Sequence, residues 1–338
     1  MSVMGKINFG IVGIGRRGLG HLNTLKRFKN IEVTSVCDID ERKLREVSEK
    51  YGVKPYKDID EMLRKEKLNA VAICTPTPLH VSQTVKCIEN GLDVMLEKPI
   101  SLKIDEVKYL LKKISESKQI VAVSFQSRYM RIVEIAKNNI DKTLSMLDGY
   151  WYWTTPIIKW IRDRNLGGGQ MVDQAIHLID LYRFFAGEIS EVYAYYTERG
   201  RDTDIDRREG FNNWSSYVAI FKFKNNVVGS ISSTYALYPR IFRKGFEYPV
   251  LIDIICREKL IRYIHGYKLK IYERNKTTKI FKEYGNATYK MYRKFIQSIM
   301  TRDDSTLPTR YSDSYRTMMV SLAANQSAMS GEKIKIEY

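Results

Sequence analysis

The sequence predicts two consecutive domains: an α/β domain built on a doubly wound parallel sheet, and an α+β domain built on a large open, mainly antiparallel sheet. In the first part of the chain, short apolar runs of strand length alternate with segments of helical periodicity. In the second part, strand-like runs follow one another across short polar turns such as Lys224-Asn225-Asn226. The length of 338 residues also suits two cores, at roughly 150 residues a domain. We therefore predict domains at 1–125 and 126–338.

Strands and helices alternate through the first domain. The predicted strands are residues 7–12, 33–37, 70–74, 93–96 and 120–124, and the predicted helices are residues 18–28, 41–50, 60–65, 79–89 and 104–117. Gly52 and Gly91 stand just after two of these helices, where glycine commonly ends a helix. Each connection is long enough for a right-handed crossover, so all of the strands can run parallel.

The second domain opens with a helix at 132–138 and a strand that continues through residue 152, followed by one long helix from 169 to 186. Further strands are predicted at residues 192–196, 217–223, 227–234, 250–256, 259–263 and 268–273. Helices at 289–300 and 312–329 and a short strand at 333–337 complete the chain. The close spacing of the strands predicts an antiparallel meander or an open sheet.

The charge distribution and composition argue against nucleic-acid-binding and membrane proteins. The net charge of +17 is spread along the chain, whereas nucleic-acid-binding proteins more often concentrate basic residues on one element, so we expect no nucleic-acid partner. No stretch approaches the ~18 consecutive apolar residues of a membrane helix, which predicts no membrane partner. The four cysteines contain no C-x-x-C pair, which is typical of a reduced protein. We expect a cytoplasmic protein without a metal site.

A glycine-rich loop, residues 13–18, joins the first predicted strand to the first helix. Its G-x-G-x-x-G pattern directly after a strand is typical of dinucleotide binding. Gly13 permits the tight turn, Gly15 lets the backbone approach a pyrophosphate, and Gly18 lets the helix pack against the strand. The free N–H groups at the start of the helix would face the anion. We therefore predict that these glycines, with Arg16 and Arg17, bind the cofactor.

Asp38 stands at the end of the second predicted strand, twenty residues after the last glycine of the loop. A carboxylate in this place can accept hydrogen bonds from both hydroxyls of the adenosine ribose, and its charge would repel a 2′-phosphate. The sequence therefore predicts NAD as the cofactor. NADP is the alternative, because Arg16, Arg17 and Arg42 can together neutralise a phosphate if the carboxylate turns away. Asp40 is expected to cap the helix that begins just after it.

Two polar segments follow the strands predicted at 70–74 and 93–96. Ligands of parallel α/β sheets bind at the carboxyl ends of the strands, so we predict that both segments contact the nicotinamide end of the cofactor. The predicted contacts are Thr75, Pro76, Thr77, His80, Glu97 and Lys98. Pro99 restricts the backbone of Lys98, and a cis bond there would hold the ammonium in one direction. The alternative for Lys98 is an ordinary surface lysine.

A polar stripe follows the three glycines at 167–169. Asp173, His177 and Asp180 recur at i, i+4 and i+7, so one face of the predicted long helix is polar while its other positions are mostly apolar. Such a stripe faces water or a site, and the shared face together with the glycines favours a site. For His177 alone, the alternative is a structural histidine that Asp173 orients.

Taken together, these segments resemble the Gfo/Idh/MocA oxidoreductases, the family that includes glucose-fructose oxidoreductase and myo-inositol dehydrogenase. The matching segments are residues 13–18, 74–80, 97–99 and 167–180, in the family's order and rough spacing. The resemblance implies a Rossmann domain followed by an α+β domain, with substrate between them. It also implies that Lys98 is the active-site lysine, Asp173 the active-site aspartate and His177 the general acid/base.

The implied reaction is hydride transfer between the nicotinamide cofactor and a secondary alcohol or ketone. As an alcohol is oxidised, His177 would take the hydroxyl proton while Lys98 holds and polarises the same oxygen. The expected substrate is a sugar, sugar acid, cyclitol or nucleotide sugar. Because the open sheet of the second domain often forms the oligomer interface in this family, we expect a homodimer or homotetramer.

Two side chains outside the motifs complete the predicted substrate site. Gln126 stands just past the last strand of the first domain, where the family often has a polar residue. Trp160 precedes the glycine run, where an aromatic plane can stack on a sugar ring. Core packing is the alternative for the tryptophans of this region, and a salt bridge near the domain junction is the alternative for Arg128.

Two other functions remain open at this point. One is a non-redox enzyme of the same fold, in which tightly held NAD permits elimination or hydrolysis of a glycosidic bond. The other is a non-catalytic regulator that binds a dinucleotide and a partner protein. Such a regulator would be expected to lose Lys98 and His177, and both are present here.

Overall fold

The computed structural model describes residues 6–201, 206, 210–237 and 249–338, and the chain divides into two compact units. The first unit consists of Met1–Gln126 with Thr288–Tyr315, and the second of Ser127–Ala287 with Arg316–Tyr338. The sequence pattern predicts a second domain of residues 126–338, whereas Thr288–Tyr315 clusters with the first unit. No helix in the described ranges combines the length and the apolar character needed to cross a membrane.

Six strands of the first unit form one parallel sheet: β1 (Ile7–Val12), β2 (Ile31–Cys37), β3 (Lys54–Tyr56), β4 (Ala70–Ile73), β5 (Asp93–Leu96) and β6 (Val121–Val123). Their order is β3-β2-β1-β4-β5-β6, and every neighbouring pair is parallel. The predicted doubly wound α/β fold is thereby confirmed. Apolar runs identified β4 to β6 because these strands are buried along their whole length. The edge strand β3 was missed because it is short, exposed and contains a proline.

Five helices connect these strands: α1 (Arg16–Leu25), α2 (Glu41–Tyr51), α3 (Ile59–Lys65), α4 (His80–Glu89) and α5 (Ile104–Ser115). Asp40 caps α2, since its side chain accepts a hydrogen bond from the N–H of Lys43. Asp58 caps α3 in the same way through the N–H of Glu61. The predicted cap at Asp40 is therefore confirmed. Gly52 ends α2 in the left-handed conformation, as its position in the sequence indicated.

Nine strands of the described residues form the sheet of the second unit: β7 (Met146–Thr154), β8 (Ile189–Thr197), β9 (Ser216–Phe223), β10 (Val228–Leu237), β11 (Val250–Cys256), β12 (Lys259–Ile264), β13 (Lys268–Glu273), β14 (Lys279–Lys282) and β15 (Ile334–Lys335). Their order is β14-β13-β12-β11-β7-β10-β9-β8-β15. Only the central β7 and β10 pair in parallel, and the other neighbours are antiparallel. The predicted large and mainly antiparallel sheet is confirmed.

The remaining helices lie between and after these strands: α6 (Arg131–Asn139), α7 (Lys159–Arg162), α8 (Arg164–Gly167), α9 (Gln170–Asp173), α10 (Ile176–Ala186), α11 (Ala287–Thr301) and α12 (Tyr311–Ser330). The single long helix predicted over 169–186 is wrong, because the chain forms α9 and α10 with a break between them. At the break, the N–H of Ala175 donates to the carbonyl of Gln170 at 2.8 Å, five residues earlier. This wider turn interrupts the regular i to i−4 register of an α-helix.

Helix α11 packs with the first unit, and this explains why Thr288–Tyr315 belongs there. The ring of Tyr292 meets that of Phe9 on β1 edge to face, with centroids 6.2 Å apart, and Phe295 lies 6.4 Å from the same ring. All three rings are fully buried. Aromatic contacts of this kind bury large apolar areas, so they fix α11 firmly on the parallel sheet.

Candidate active site

The loop from Gly13 to Gly18 has the geometry that the glycine pattern predicts. Gly13 has φ +84°, and a Cβ there would lie 2.7 Å from the backbone of Cys74. A Cβ on Gly18 would lie 1.9 Å from the carbonyl oxygen of Gly13. A Cβ on Gly15, by contrast, would meet nothing within 4 Å. The protein therefore requires glycine at the first and third positions, whereas the open side of Gly15 leaves its backbone accessible to a ligand.

The start of α1 suits an anion. Its N-cap is Gly15, which offers no side chain to its first N–H groups. Arg16 and Arg17 lie in the first turn and are exposed. Helix N-termini carry a partial positive charge, and two exposed guanidinium groups add to it. These residues fit the pyrophosphate of a dinucleotide.

Asp38 follows β2 and holds the glycine loop in place. One of its carboxylate oxygens accepts a hydrogen bond from the N–H of Ile14 at 2.8 Å, and the other accepts from the N–H of Asp40 at 3.0 Å. Each oxygen of a carboxylate has two lone pairs, so both can still accept a second hydrogen bond. The half-buried carboxylate therefore braces the loop and also suits the ribose hydroxyls predicted for it.

His80 lies inside the protein rather than facing a ligand, which differs from its predicted cofactor contact. It is 1% exposed, and its Nδ1 and Nε2 lie 2.7 Å and 2.8 Å from the carbonyl oxygens of Pro99 and Thr75. Burial lowers the pKa of the imidazole despite these two acceptors. His80 therefore ties together the two polar segments, at the ends of β4 and β5, that the sequence assigned to the nicotinamide.

Glu97 also serves the framework instead of making the predicted side-chain contact with a cofactor. Its Oε1 lies 2.8 Å from Nε2 of His21 on α1, and Nδ1 of that imidazole lies 2.6 Å from the hydroxyl of Tyr292. Burial alone would raise the pKa of Glu97, but the hydrogen bond and charge of His21 and the nearby charge of Arg17 lower it to about 2. An ionised carboxylate thus fixes the helix that carries the glycine loop.

The other residues predicted at this end remain consistent with a cofactor site. The hydroxyl of Thr75 donates to Gln83 at 2.7 Å, and Pro76 is exposed. The hydroxyl of Thr77 is buried, and no described residue bonds to it. Lys98 is half-buried, and its peptide bond to Pro99 is cis, the form that the Lys98-Pro99 sequence allows. The roles of Thr75, Pro76, Thr77 and Lys98 stay predictions.

Asp173 and His177 are both buried in the second unit, four residues apart in the sequence. They are 8% and 4% exposed, and Oδ2 of Asp173 accepts a hydrogen bond from the hydroxyl of Tyr235 at 3.2 Å. The indole of Trp151 lies nearly parallel to the imidazole of His177, with centroids 6.0 Å apart. A carboxylate, an imidazole and an aromatic wall thus lie at the ends of β7 and β10, next to the break between α9 and α10.

Tyr235 and His265 also lie at this site, and no sequence pattern predicted them. His265 follows β12, and its ring lies 4.9 Å from the Trp151 ring and 6.1 Å from the His177 ring, measured between centroids. Burial lowers the pKa of His265 to about 4. Neither residue belongs to a local motif, and strand pairing brings them to Asp173 and His177 from distant parts of the chain. Only the apolar alternation of β10 and β12 was visible in the sequence.

Asp180 has a structural role, which corrects the predicted stripe. Its carboxylate accepts two hydrogen bonds from Arg128, at 2.8 Å and 2.7 Å, and a third from the hydroxyl of Thr317 at 3.0 Å. Asp180 is 1% exposed and Arg128 8%. This buried bidentate pair matches the salt bridge considered for Arg128 and holds α10, the helix that carries His177.

Gln126 and Trp160 lie in short helical turns and are half-buried. Within the described residues, no contact joins either of them to Asp173 or His177, and Trp151 is the tryptophan whose ring meets His177. Their part in substrate binding stays a prediction. Across the described residues, no group of three or more histidine, cysteine or acidic side chains is placed to hold a metal ion, and all four cysteines are free thiols.

Both parts of the chain match known protein families. Residues 7–125 match the Gfo/Idh/MocA oxidoreductase family with its NAD-binding Rossmann fold, and residues 143–251 match the Gfo/Idh/MocA C-terminal domain. Together these segments span more than half of the chain. The myo-inositol 2-dehydrogenase of Thermotoga maritima is 27% identical over 240 residues, which cover 68% of this chain and 68% of that protein.

Solved structures agree with this fold. The WlbA dehydrogenase of Bordetella pertussis, in complex with NADH and UDP-GlcNAcA, superimposes with a TM-score of 0.83 at 22% identity, covering 98% of this chain and 99% of that one. The myo-inositol 2-dehydrogenase of Lactobacillus plantarum gives a TM-score of 0.78 at 21% identity, covering 98% and 100%. The resemblance that the motifs indicated is confirmed: this chain is an NAD-binding oxidoreductase of the Gfo/Idh/MocA family.

Proposed function

We propose that this enzyme oxidises a secondary alcohol of a sugar, sugar acid, cyclitol or nucleotide sugar, or reduces the corresponding ketone, with NAD rather than NADP. The observation that carries the proposal is that Asp173 and His177 are both buried, the first bonded to the hydroxyl of Tyr235 and the second stacked against Trp151. NAD supplies, when bound, the acceptor for the hydride that leaves the alcohol carbon. The similarity to a myo-inositol 2-dehydrogenase and to a dehydrogenase that binds UDP-GlcNAcA supports a polyhydroxylated substrate.

The nucleotide would be held by backbone and charge. Gly15 and the first N–H groups of α1 would face the pyrophosphate, with Arg16 and Arg17 beside it. Asp38 would accept hydrogen bonds from the ribose hydroxyls, and its negative charge supports the preference for NAD. Thr75, Pro76 and Thr77 would line the nicotinamide end. His80 and Glu97 would act indirectly, by holding the loops.

His177 would be the general base that takes the hydroxyl proton, because imidazole exchanges protons near neutral pH. Asp173 would orient a neighbouring hydroxyl or the imidazole, and the hydrogen bond from Tyr235 fixes its carboxylate. Lys98 would hold the reacting oxygen and stabilise the negative charge that develops on it. The alcohol carbon then becomes a carbonyl carbon, since it loses a hydride and its oxygen loses a proton.

We also propose that the enzyme is a cytoplasmic homodimer or homotetramer formed through the outer face of the second sheet. Tyr195, Val218 and Ile220 are 64%, 51% and 55% exposed on adjacent strands of that face. Clustered exposed apolar side chains of this kind are common at protein interfaces. Light scattering of an Ile220→Lys variant is expected to show dissociation, and an unchanged mass would contradict this interface.

The test of function is turnover with NAD and a panel of inositols, sugars, sugar acids and nucleotide sugars, with reduced cofactor measured by absorbance. We expect at least one member of the panel to be oxidised by the wild type. A variant with both Lys98→Ala and His177→Ala should lose that activity while keeping its fold. If the double variant reduces NAD as fast as the wild type, the assigned site is wrong.

A further inference from the structure

A second imidazole lies beside the proposed base. His265, Trp151 and His177 all belong to the second unit, and their rings form a continuous group with centroid distances of 4.9 Å, 6.0 Å and 6.1 Å. The edge of the Tyr263 ring completes the group, 6.0 Å from His265 at an interplanar angle of 87°. The proton transfer proposed for His177 makes no use of His265.

The backbone around His265 is anchored on both sides. Its own N–H donates to the carbonyl of Val250 at 3.1 Å, which continues the pairing of β12 with β11. The N–H of Gly266 donates to the hydroxyl of the fully buried Tyr263 at 3.2 Å. Gly266 has φ +85°, a conformation that favours glycine. The backbone that carries the imidazole is therefore held in place by the sheet.

Several polar atoms around Trp151 are buried, and no described residue bonds to them. They are Nδ1 of His265, Nε1 of Trp151, Oε1 of Gln170 and Oγ of Ser233. Ser233 lies directly across from Trp151 on β10, and Nε2 of Gln170 donates to the Trp151 carbonyl at 3.3 Å. Gln170 and Ser233 are 0% and 2% exposed. Buried polar atoms normally have partners, so this set of donors and acceptors suits a ligand rich in hydroxyl groups.

The imidazole of His265 stays neutral during turnover, because burial lowers its pKa to about 4. A neutral imidazole offers one N–H donor and one acceptor nitrogen. It can therefore bind a hydroxyl group without competing with His177 for the proton of the reaction.

We infer that His265 is a substrate-positioning residue, whose ring hydrogen-bonds a hydroxyl group of the polyol other than the one that reacts. The inference rests on the proposed function and deepens it. It assigns specificity for a polyol over a simple alcohol to the end of β12, outside the Asp173 and His177 motif. The Trp151 ring lies beside both imidazoles, and the three rings together would form one side of the substrate site.

The test compares His265→Phe, which keeps a planar ring against Trp151 and Tyr263, with His265→Gln, which keeps a polar group. With saturating NAD and the best polyol of the panel, we expect KM to rise about tenfold or more in His265→Phe, with kcat unchanged and partial recovery in His265→Gln. The pH dependence of kcat should stay that of the wild type. A set of deoxy analogues, each lacking one hydroxyl, should include one for which the wild type and His265→Phe have equal KM values, because that analogue lacks the hydroxyl that His265 binds.

An unchanged KM in His265→Phe would overturn the inference and leave the proposed function intact. If His265→Phe fails to fold, the same KM comparison is made with His265→Gln and His265→Asn, and equality with the wild type overturns the inference. If the wild type binds a polyol of the panel in calorimetry but oxidises no member of the panel, the proposed function falls, and weaker binding of that polyol by His265→Phe still supports the inference. If the NAD-loaded wild type neither binds nor oxidises any member of the panel, both fall.

Discussion

The two candidate binding regions differ in how their polar groups are used. One is the nucleotide end of the first unit, and the other is the region around Asp173 and His177 in the second unit. In the first unit, the polar atoms of Asp38, His80 and Glu97 already bond to the protein, and they hold loops whose backbone would meet the cofactor. In the second unit, polar atoms of Trp151 and His265 are buried, and no described residue bonds to them.

This difference follows from what each end would recognise. A pyrophosphate is the same in every dinucleotide, so a rigid loop with backbone N–H groups and charge is sufficient. A polyol differs from its relatives only in the placement of its hydroxyl groups, and side-chain donors and acceptors can distinguish them. Apart from Lys98, the residues of the first unit should therefore respond to substitution mainly through stability and cofactor affinity, and those of the second mainly through catalysis and substrate affinity.

The largest expected effect is on catalysis in the second unit. A His177→Asn substitution removes the proposed base, and we expect kcat to fall by about 10²- to 10⁴-fold. The dissociation constant for NAD should stay unchanged, because the residues proposed to bind the nucleotide are not altered. Single-turnover kinetics and calorimetry with NAD measure the two quantities. Retained kcat would show that His177 is structural.

The second prediction concerns the buried ion pair that supports α10. An Asp180→Ala substitution leaves the Arg128 guanidinium buried without its bidentate partner, and we expect the free energy of unfolding to fall by about 3–5 kcal/mol. Glu258→Ala is the matched control, since it removes an exposed ion pair with Arg274 and should cost about 0–1 kcal/mol. Urea unfolding of the three proteins checks this. Equal losses in the two variants would mean that the buried Arg128 pair stabilises the fold no more than the exposed pair does.

The third prediction tests the framework role of Glu97 by its pH dependence. Its pKa is lowered in the folded state to about 2 from an ordinary value of 4.5, so its ionised form stabilises the fold above about pH 4.5. That contribution, about 3 kcal/mol from the shift, is lost as the pH falls through about 2. The difference in unfolding free energy between wild type and Glu97→Gln should therefore shrink between about pH 4.5 and 2. A constant difference across this range would contradict the assigned shift.

The smallest expected effects are those of alanine substitutions in the glycine loop, where Gly18 is tightly packed and Gly15 faces open space. Gly18→Ala places a Cβ against the Gly13 carbonyl, and we expect a loss of about 1–3 kcal/mol in stability from overpacking. Gly15→Ala meets open space and should cost less than about 1 kcal/mol, yet weaken NAD binding. Thermal unfolding and calorimetry distinguish the two variants. If Gly15→Ala binds NAD as tightly as the wild type, the pyrophosphate does not approach that backbone.

The sequence allowed a good prediction of the first unit because its signals are local. The glycine loop, Asp38 and the apolar strands each depend on neighbouring residues, and the structure has them where the pattern indicated. Two features of this unit were not predicted. The edge strand β3 has no apolar pattern, and the place of Thr288–Tyr315 in the first unit depends on long-range contacts such as that of Tyr292 with Phe9.

The site of the second unit was predictable only in part. Asp173 and His177 stood out through the family motif, but the break between α9 and α10 depends on a hydrogen bond from Ala175 that no periodicity shows. Tyr235 and His265 come together with them only when β10, β7, β11 and β12 pair across the sheet. The positions of Tyr235 and His265 in the site therefore depend on long-range strand pairing, which a single sequence does not reveal.

The most direct test of the account follows the hydride itself. The best substrate of the panel, carrying deuterium in place of its carbon-bound hydrogens, is mixed with the wild type and NAD, and the reduced cofactor is analysed by mass spectrometry. We predict that each molecule of ketone formed is matched by one deuterium in the reduced nicotinamide, and that His177→Asn slows this transfer at least about a hundredfold. Product formed without deuterium in the cofactor would contradict the account.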